Sequence, residues 1–382
     1  MKFPLCCLGV LVCFELFAAY TYVTNVLDDV VMTCRVDGSE AIVLRAKLSE
    51  PVSSGGQKDI VIPKMIAGAN VRAVADGAFN ASGWLRSVTI QGSVSQIGMN
   101  AFANCSNLLS VVIEQGGKLP GLRRINSFAF GNCVSLRDIN LVDATRLSMI
   151  DRSAFQDCRS LERVELPECC RRLGEFVFRG CENLREVTLP VTIEEVPGSA
   201  FIGCDRICEV KIAPEGNYVF EKGILYDKTR RRLVRCLMGG LAESVKIEEG
   251  VIEIMPNAFG ECKHLKRVML PSSLKHIDEF AFCDSGLKEI VLPEGLESVG
   301  YAAFANTSVK LDGRWAQANA ALVREIGVTN NGDMPLEVSR VKACCGAEAA
   351  ELVPMSPSAA RRYDAAMPSQ TTVSGVSTDS HF

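Results

Sequence analysis

Seventeen cysteines and three histidines are the side chains in this 382-residue chain with the most chemistry to offer, and their spacing decides what they can do. A zinc or redox site would show Cys-x-x-Cys pairs, and a catalytic thiol would be singular and matched to a histidine base. No Cys-x-x-Cys occurs. Instead Cys105, Cys133, Cys158, Cys181, Cys204 and Cys262 each stand three residues after a Phe, and Ser82, Ser285 and Thr307 hold the matching places elsewhere. A periodic small residue with one weak donor fills a gap and bonds the backbone of a neighbouring turn. Rungs about 5 Å apart leave disulfides between neighbours sterically open, but substitution by Ser and Thr favours buried free thiols. Cys169-Cys170 and Cys344-Cys345 are adjacent pairs off this pattern with no histidine nearby, and a metal or redox role for them stays open. Cys34, Cys208, Cys236 and Cys283 have no readable partner. His264 and His276 precede the apolar Leu265 and Ile277 and are expected to face solvent. There is no Gly-x-Ser-x-Gly elbow and no phosphate-binding glycine loop. The reading is of no enzyme, no metal and no cofactor.

The elements that position these residues come from a repeat. A dipeptide ending in Phe returns at Phe79, Phe102, Phe130, Phe155, Phe178, Phe201, Phe259, Phe282 and Phe304, at spacings of 23, 28, 25, 23, 23, 58, 23 and 22 residues. Before it comes an aliphatic residue, often followed by Gly, as in Ile97-Gly98, Leu173-Gly174 and Val299-Gly300. After it comes Leu-x-x-Val-x-Leu-Pro, as in Leu161, Val164, Leu166, Pro167 and again in Leu184, Val187, Leu189, Pro190. Val-x-Leu has the period of a strand with one buried face, and Pro stops it. One such unit cannot bury its apolar side, whereas stacked copies make a continuous core. Crossover helices of a dozen residues have too little room in most turns.

This frame resembles the BspA-type leucine-rich repeat over residues 60 to 311. The resemblance implies an α/β repeat fold, a leucine-rich-repeat solenoid of about nine turns with short parallel strands. It also implies a surface-exposed or secreted protein, several members of that family being adhesins. The expected organisation is an export signal over 1–19, a β cap over 20–56, the solenoid over 57–312, a closing segment over 313–340 and a disordered tail over 341–382. The export signal rests on Lys2 followed by the largely apolar stretch Phe3 to Phe17, which is too short and too interrupted, by Pro4 and Glu15, for a membrane span. The cap rests on strand-like runs at Val30 to Met32 and Ala41 to Leu44. Trp315 to Gly327 looks briefly helical, and the chain beyond Val353 has the composition of a disordered segment. The 58-residue gap holds an insertion, 214–244. In it, Gly223 to Tyr226 and Leu233 to Cys236 flank a polar stretch ending in Arg230, Arg231 and Arg232, which reads as a β-hairpin with a basic tip. It is either a decorated edge or a finger that touches a ligand.

The remaining candidates face outward between the core positions of the strands: Arg137, Arg163, Glu165, Arg185, Glu186, Lys211, Arg267 and Lys288. Alternating signs allow this face to neutralise itself, as a solvated ladder that keeps a sheet soluble. The same pattern suits protein docking, where mixed charge gives specificity and Arg is favoured in hot spots. With 41 basic and 45 acidic residues there is no basic excess, and two Trp and six Tyr make a poor stacking surface, so nucleic acid is excluded as a partner. The expected partner is a protein on a host or cell surface; the alternative is a structural or glycan-facing spacer.

Overall fold

Alternation of apolar residues at Val-x-Leu builds strands only two to six residues long, and these can be stable only in register with copies of themselves. The structure, a computed structural model, describes residues 11–13, 20–27, 29–49, 56–114, 121–238, 242–311, 328–329 and 336–338, with backbone alone at 11–13, 310–311, 328–329 and 336–338. The strands stack in parallel and in repeat register. Val88 lies beside Val111, Val187 between Val164 and Val210, and Val245 beside Val268. A second ladder of shorter strands is formed at the aliphatic-Gly position, where Val74, Ile97, Ile125, Ile150 and Leu173 align. The glycine of that motif is required by close approach. A Cβ on Gly98 would lie 2.6 Å from the Ala75 carbonyl carbon, and one on Gly174 2.3 Å from the Arg152 nitrogen.

The third side of each turn is the Ala-Phe-x-x-Cys corner. Left-handed residues flank it on both sides, for instance Asn100 and Asn104 around Phe102 and Asn257 and Glu261 around Phe259. Two left-handed residues per corner prevent helical continuation. Among the described residues the only helical turns are short 3-10 segments, Leu141–Asp143 and Gly198–Phe201. The expected α/β repeat is therefore corrected to a parallel β solenoid of about ten turns with almost no helix.

The insertion supplies the additional turn. It is a three-stranded antiparallel sheet, Tyr218–Glu221, Ile224–Asp227 and Arg232–Cys236, one strand more than the hairpin expected. Its third strand pairs in parallel with Glu253–Ile254, so it takes a place in the second ladder. The Cys236 N–H donates to the Ala258 carbonyl, as the Phe259 N–H donates to Ala281 and that of Phe178 to Ala200. Cys236 thus occupies the Phe register of a rung that has no Phe. Nor is the sheet a surface decoration. Leu225, Val234 and Leu237 join the core on the N-terminal side, whereas Ile224, Tyr226, Leu233 and Cys236 join the core on the C-terminal side. The inserted sheet is a partition with a buried face toward each half. It also separates the first ladder, since Glu209–Ile212 and Ser244–Lys246 lie in different sheets. The Arg179–Glu261 ion pair, at 2.8 Å, ties the two sides across this gap.

At the N-terminal end Thr21–Leu27, Val30–Asp37 and Glu40–Leu48 form an antiparallel meander whose last strand joins Ala69–Val74 in parallel. Its inward residues Val30, Met32, Cys34, Ala41 and Val43 are buried and cover the first turn's apolar edge. Leu11–Cys13 pairs antiparallel with Thr21–Leu27. At the far end Lys310–Leu311 pairs antiparallel with Leu336–Val338, which pairs with Val328–Thr329. The helix expected at 315–327, the tail 341–382 and most of the N-terminal 1–19 lie outside the described residues.

Candidate functional site

All nine ladder phenylalanines are fully buried. From Phe79 to Phe201 their centroids follow one another at 4.8, 5.1, 5.3, 5.6 and 5.7 Å, and after the insertion Phe259, Phe282 and Phe304 resume at 4.8 and 5.3 Å. These distances are close to the strand spacing, so the backbone register sets the stack. Beside it runs a thiol ladder. Cys105, Cys133, Cys158, Cys181 and Cys204 each donate to the carbonyl of the Phe in the preceding turn, at 3.0 to 3.2 Å. Burial pushes the Cys158 and Cys181 thiols well up, which makes them inert as nucleophiles. The twelve cysteines whose side chains the structure describes form no disulfide with one another. Cys262, at the matching place after Phe259, is half-buried and lines a small cavity together with Cys236. Where a hydroxyl replaces the thiol the bonding changes. Thr307 donates to Phe304 of its own turn, and Ser285 Oγ has no partner among the described residues. No group of three His, Cys, Asp or Glu that could hold a metal occurs among the described residues.

The outward face of the first ladder carries the remaining candidates. Arg163 lies 3.6 Å from Glu186, whose other oxygen meets Lys211; Lys211 also reaches Glu209 at 3.9 Å. Lys211 holds the Glu186 carboxyl below its usual range, and Glu186 raises Lys211 in return. Arg267 pairs with Glu289 at 2.6 Å, Lys266 with Glu243, and Arg86 with Asp59. The Arg86 guanidinium, aided by the Ser87 hydroxyl, lowers Asp59 to about 2. The face is therefore largely self-neutralised. Arg137, Glu165, Arg185 and Lys288 are exposed and form no ion pair among the described residues.

The structure also brings apolar side chains to this face that the charge pattern did not single out. At one end Leu109 and Val112 are exposed on one rung and Val61 two rungs away, across Thr89, with Leu109 directly beside Arg137 in the ladder. At the other end Met269 and Val291, the latter 77% exposed, flank a shallow depression of about 510 Å³ that also holds Arg267 and Glu289. The signal was present in the sequence: Val112 and Val291 stand where other turns carry Thr89, Asn140, Glu165 and Lys211.

The insertion tip lies elsewhere, in the sheet that continues the second ladder. Asp227 shapes it, its Oδ1 accepting from the backbone of Arg231 and Arg232 at 2.9 Å each. Arg230 pairs with Glu221 and Arg232 with Glu253, which leaves Arg231 as the tip arginine without an ion pair among the described residues. The tip is thus less basic than its three consecutive arginines suggest, and it is not brought into the sheet that carries Arg137 and Arg185.

No helix of the described residues is long and apolar enough to cross a membrane. No curated protein matches the chain. Among solved structures, a leucine-rich repeat protein from Eubacterium ventriosum is similar at 16% identity and a TM-score of 0.54, covering 73% of this chain and 71% of that one. A leucine rich cell surface protein from Faecalibacterium prausnitzii shares 19% identity at a TM-score of 0.46, over 81% and 97% of the two chains. The pneumococcal vaccine antigen PcpA shares 18% at 0.48, over 78% and 81%. The BspA type leucine rich repeat region, in six copies, matches residues 58–119, 117–228 and 236–311. With that match spanning well over half of its length, and with the parallel ladders, stacked Phe and thiol corners in place, the chain belongs to the BspA-type leucine-rich-repeat family.

Proposed function

We propose that this solenoid is an exported, non-enzymatic binding protein that docks a partner protein on a host or cell surface through the outward face of its first strand ladder. The observation that carries the reading is the N-terminal part of that face. There Arg137, with no counter-ion in the described residues, adjoins Leu109; Val112 stands exposed on the Leu109 rung, and Val61 stands exposed two rungs away, across Thr89. Arginine is a residue type favoured in interface hot spots, and aliphatic neighbours can serve as the surround that excludes water from it. A flat array of rigid strands also presents these groups with little ordering cost on binding. Arg185, farther along, adds a second uncompensated cation, so an acidic and partly apolar protein surface fits best. Export is supported by the apolar stretch after Lys2 and by the habit of the family.

The test is capture from host and bacterial surface extracts by the full chain and by a variant with Arg137, Arg163 and Arg185 all changed to Ala. Loss of the captured protein in the variant, with far-UV circular dichroism unchanged, supports docking on this face. Capture that is undiminished overturns it. Capture of nothing by either chain favours the alternative of a spacer, for which the self-neutralised ion pairs at Arg163, Glu186 and Lys211 would be sufficient.

A further inference from the structure

The inserted rung departs from the repeats at two adjacent positions. Its Cys236 N–H donates to the Ala258 carbonyl in the register that Phe178 and Phe259 use, so Arg235-Cys236 stands where the repeats carry Ala, or in one turn Val, followed by Phe. At this point the core gives up a ring and gains a guanidinium. Beside them lies a cavity of about 20 Å³, room for one water-sized guest. Phe201 and Leu237 line it from the N-terminal core, and Val245 and Leu265 from the C-terminal core.

Arg235 lines the same cavity and is only 2% exposed. Its Nη1 donates to the carbonyls of Asn257 at 2.6 Å and Gly260 at 3.0 Å. The opposite edge of the guanidinium is unused: Nε has no acceptor among the described residues, and none of them bonds Nη2. That edge is the one with which other arginines of this chain grip a carboxylate. Arg124 Nε and Nη2 reach Asp151 at 2.8 and 3.1 Å, and Arg86 holds Asp59 in the same way. The other charged groups of the lining, Asp205, Lys263 and His264, are exposed, and Asp205 forms no ion pair with Arg235. A guanidinium cannot shed its proton to escape burial. Two carbonyls satisfy donors but bring no net charge, and a buried ion without a counter-charge is strongly unfavourable.

We propose that the Nε–Nη2 edge of Arg235 binds one monovalent, halide-sized anion, chloride above all, in this cavity, as the counter-ion of the inserted rung. Charge separates the halide from a water there. A water accepts the same two bonds but contributes no Coulomb attraction, and that attraction is large where water is excluded. Size separates the halide from carboxylates and phosphate, which need more than a one-water space. A halide is slightly larger than a water, and the unbranched Met238 in the lining lets the wall adjust. Cys236 and Cys262, also in the lining, offer weak S–H donors to an anion. The site lies where the two cores meet, so its occupancy is felt as stability of the whole coil.

The experiment follows urea unfolding of the full chain by circular dichroism while sodium chloride replaces sodium gluconate at constant ionic strength. Gluconate is too large for the cavity, and screening is held constant. The expected result is a midpoint that rises and then saturates in chloride, and likewise in bromide. At ten times the dissociation constant the folded-to-unfolded ratio grows about tenfold. Arg235→Met, of similar reach but uncharged, should lose the response. A second measurement needs no variant: crystals of the full chain grown in sodium bromide should show an anomalous scattering peak beside Arg235 Nε. Equal midpoints in chloride and gluconate overturn the proposal, as does a response that never saturates or one that persists in Arg235→Met. A water alone at the site in the bromide crystals overturns it as well. So does a bromide peak without any shift of the midpoint, which is binding at crystal concentration only.

Discussion

Changing Phe155 to Ala removes the middle ring of the longer Phe stack and tests whether the core is a sum of neighbouring rungs. Phe155 is fully buried, with Phe130 at 5.3 Å on one side and Phe178 at 5.6 Å on the other. Neither Ala154 nor the thiol of Cys158, both fully buried, can swing in to fill the space, because the Cys158 sulfur is held at the Phe130 carbonyl. A buried Phe→Ala change costs about 3–5 kcal/mol from lost transfer free energy and the residual cavity, and this site belongs at the upper end. Phe304 has one ladder neighbour, Phe282 at 5.3 Å, so Phe304→Ala forfeits one aromatic contact fewer. That contact is worth about 0.5–1.5 kcal/mol, and the two variants should differ by about that amount. Urea unfolding followed by far-UV circular dichroism gives both numbers. With a slope of about 3 kcal/mol per molar, at the upper end for urea, a loss of about 4 kcal/mol lowers the midpoint by roughly 1.3 M. Equal losses at Phe155 and Phe304, or a loss below about 1 kcal/mol at Phe155, would refute the nearest-neighbour account.

Gly174→Ala forces a Cβ to within 2.3 Å of the Arg152 nitrogen and 2.4 Å of the Asp151 carbonyl carbon, and should cost about 1–3 kcal/mol as overpacking. Gly83→Ala, whose Cβ would meet nothing nearer than Ser106 Oγ at 4.0 Å, should be close to neutral in the same denaturation. Asp278 is pushed up to about 6, chiefly by burial and then by the Glu253 carboxylate. Because its folded pKa lies above the unfolded value, the stability it contributes is full below about pH 4 and is lost as pH rises through 6. Asp278→Asn should therefore stabilise the chain at pH 7.5 and give no gain at pH 3. The shift corresponds to at most about 3 kcal/mol, and solvent screening of this partly exposed group reduces the expected gain to about 1 kcal/mol. Thermal melts at the two pH values that show the same gain would contradict this.

What could be read from the sequence is what repeats. Phe at a spacing of 22 to 28 residues, the Cys three places later and the Gly after the aliphatic residue each answer one fixed demand of the rung: stacking, bonding the previous carbonyl, and clearing the previous backbone. The corners were less legible, since Asn100, Phe128, Ser153 and Phe176 share a left-handed backbone without sharing a residue type. Nothing in the corners' residue types therefore corrected the α/β label that the resemblance carried. The insertion was read as a hairpin from Gly223 to Cys236, but Tyr218–Glu221 has no alternation to mark it as a strand, its middle residues being half-buried throughout. Its role as a partition could not be read either, because which of Leu225 and Tyr226 faces which half depends on where the sheet lies. The self-neutralising ion pairs were visible as alternating sign. Which arginines escape pairing depends on side-chain reach across rungs.

The transverse sheet at residues 218–236 has a consequence for how such an array can vary. A continuous coil transmits every change of twist to the coils beyond it. Here each half closes its own interior against a different face of the same barrier. Coils can be added to or deleted from one half while the other keeps its end sealed, so the barrier acts as a bulkhead behind which length is free to change.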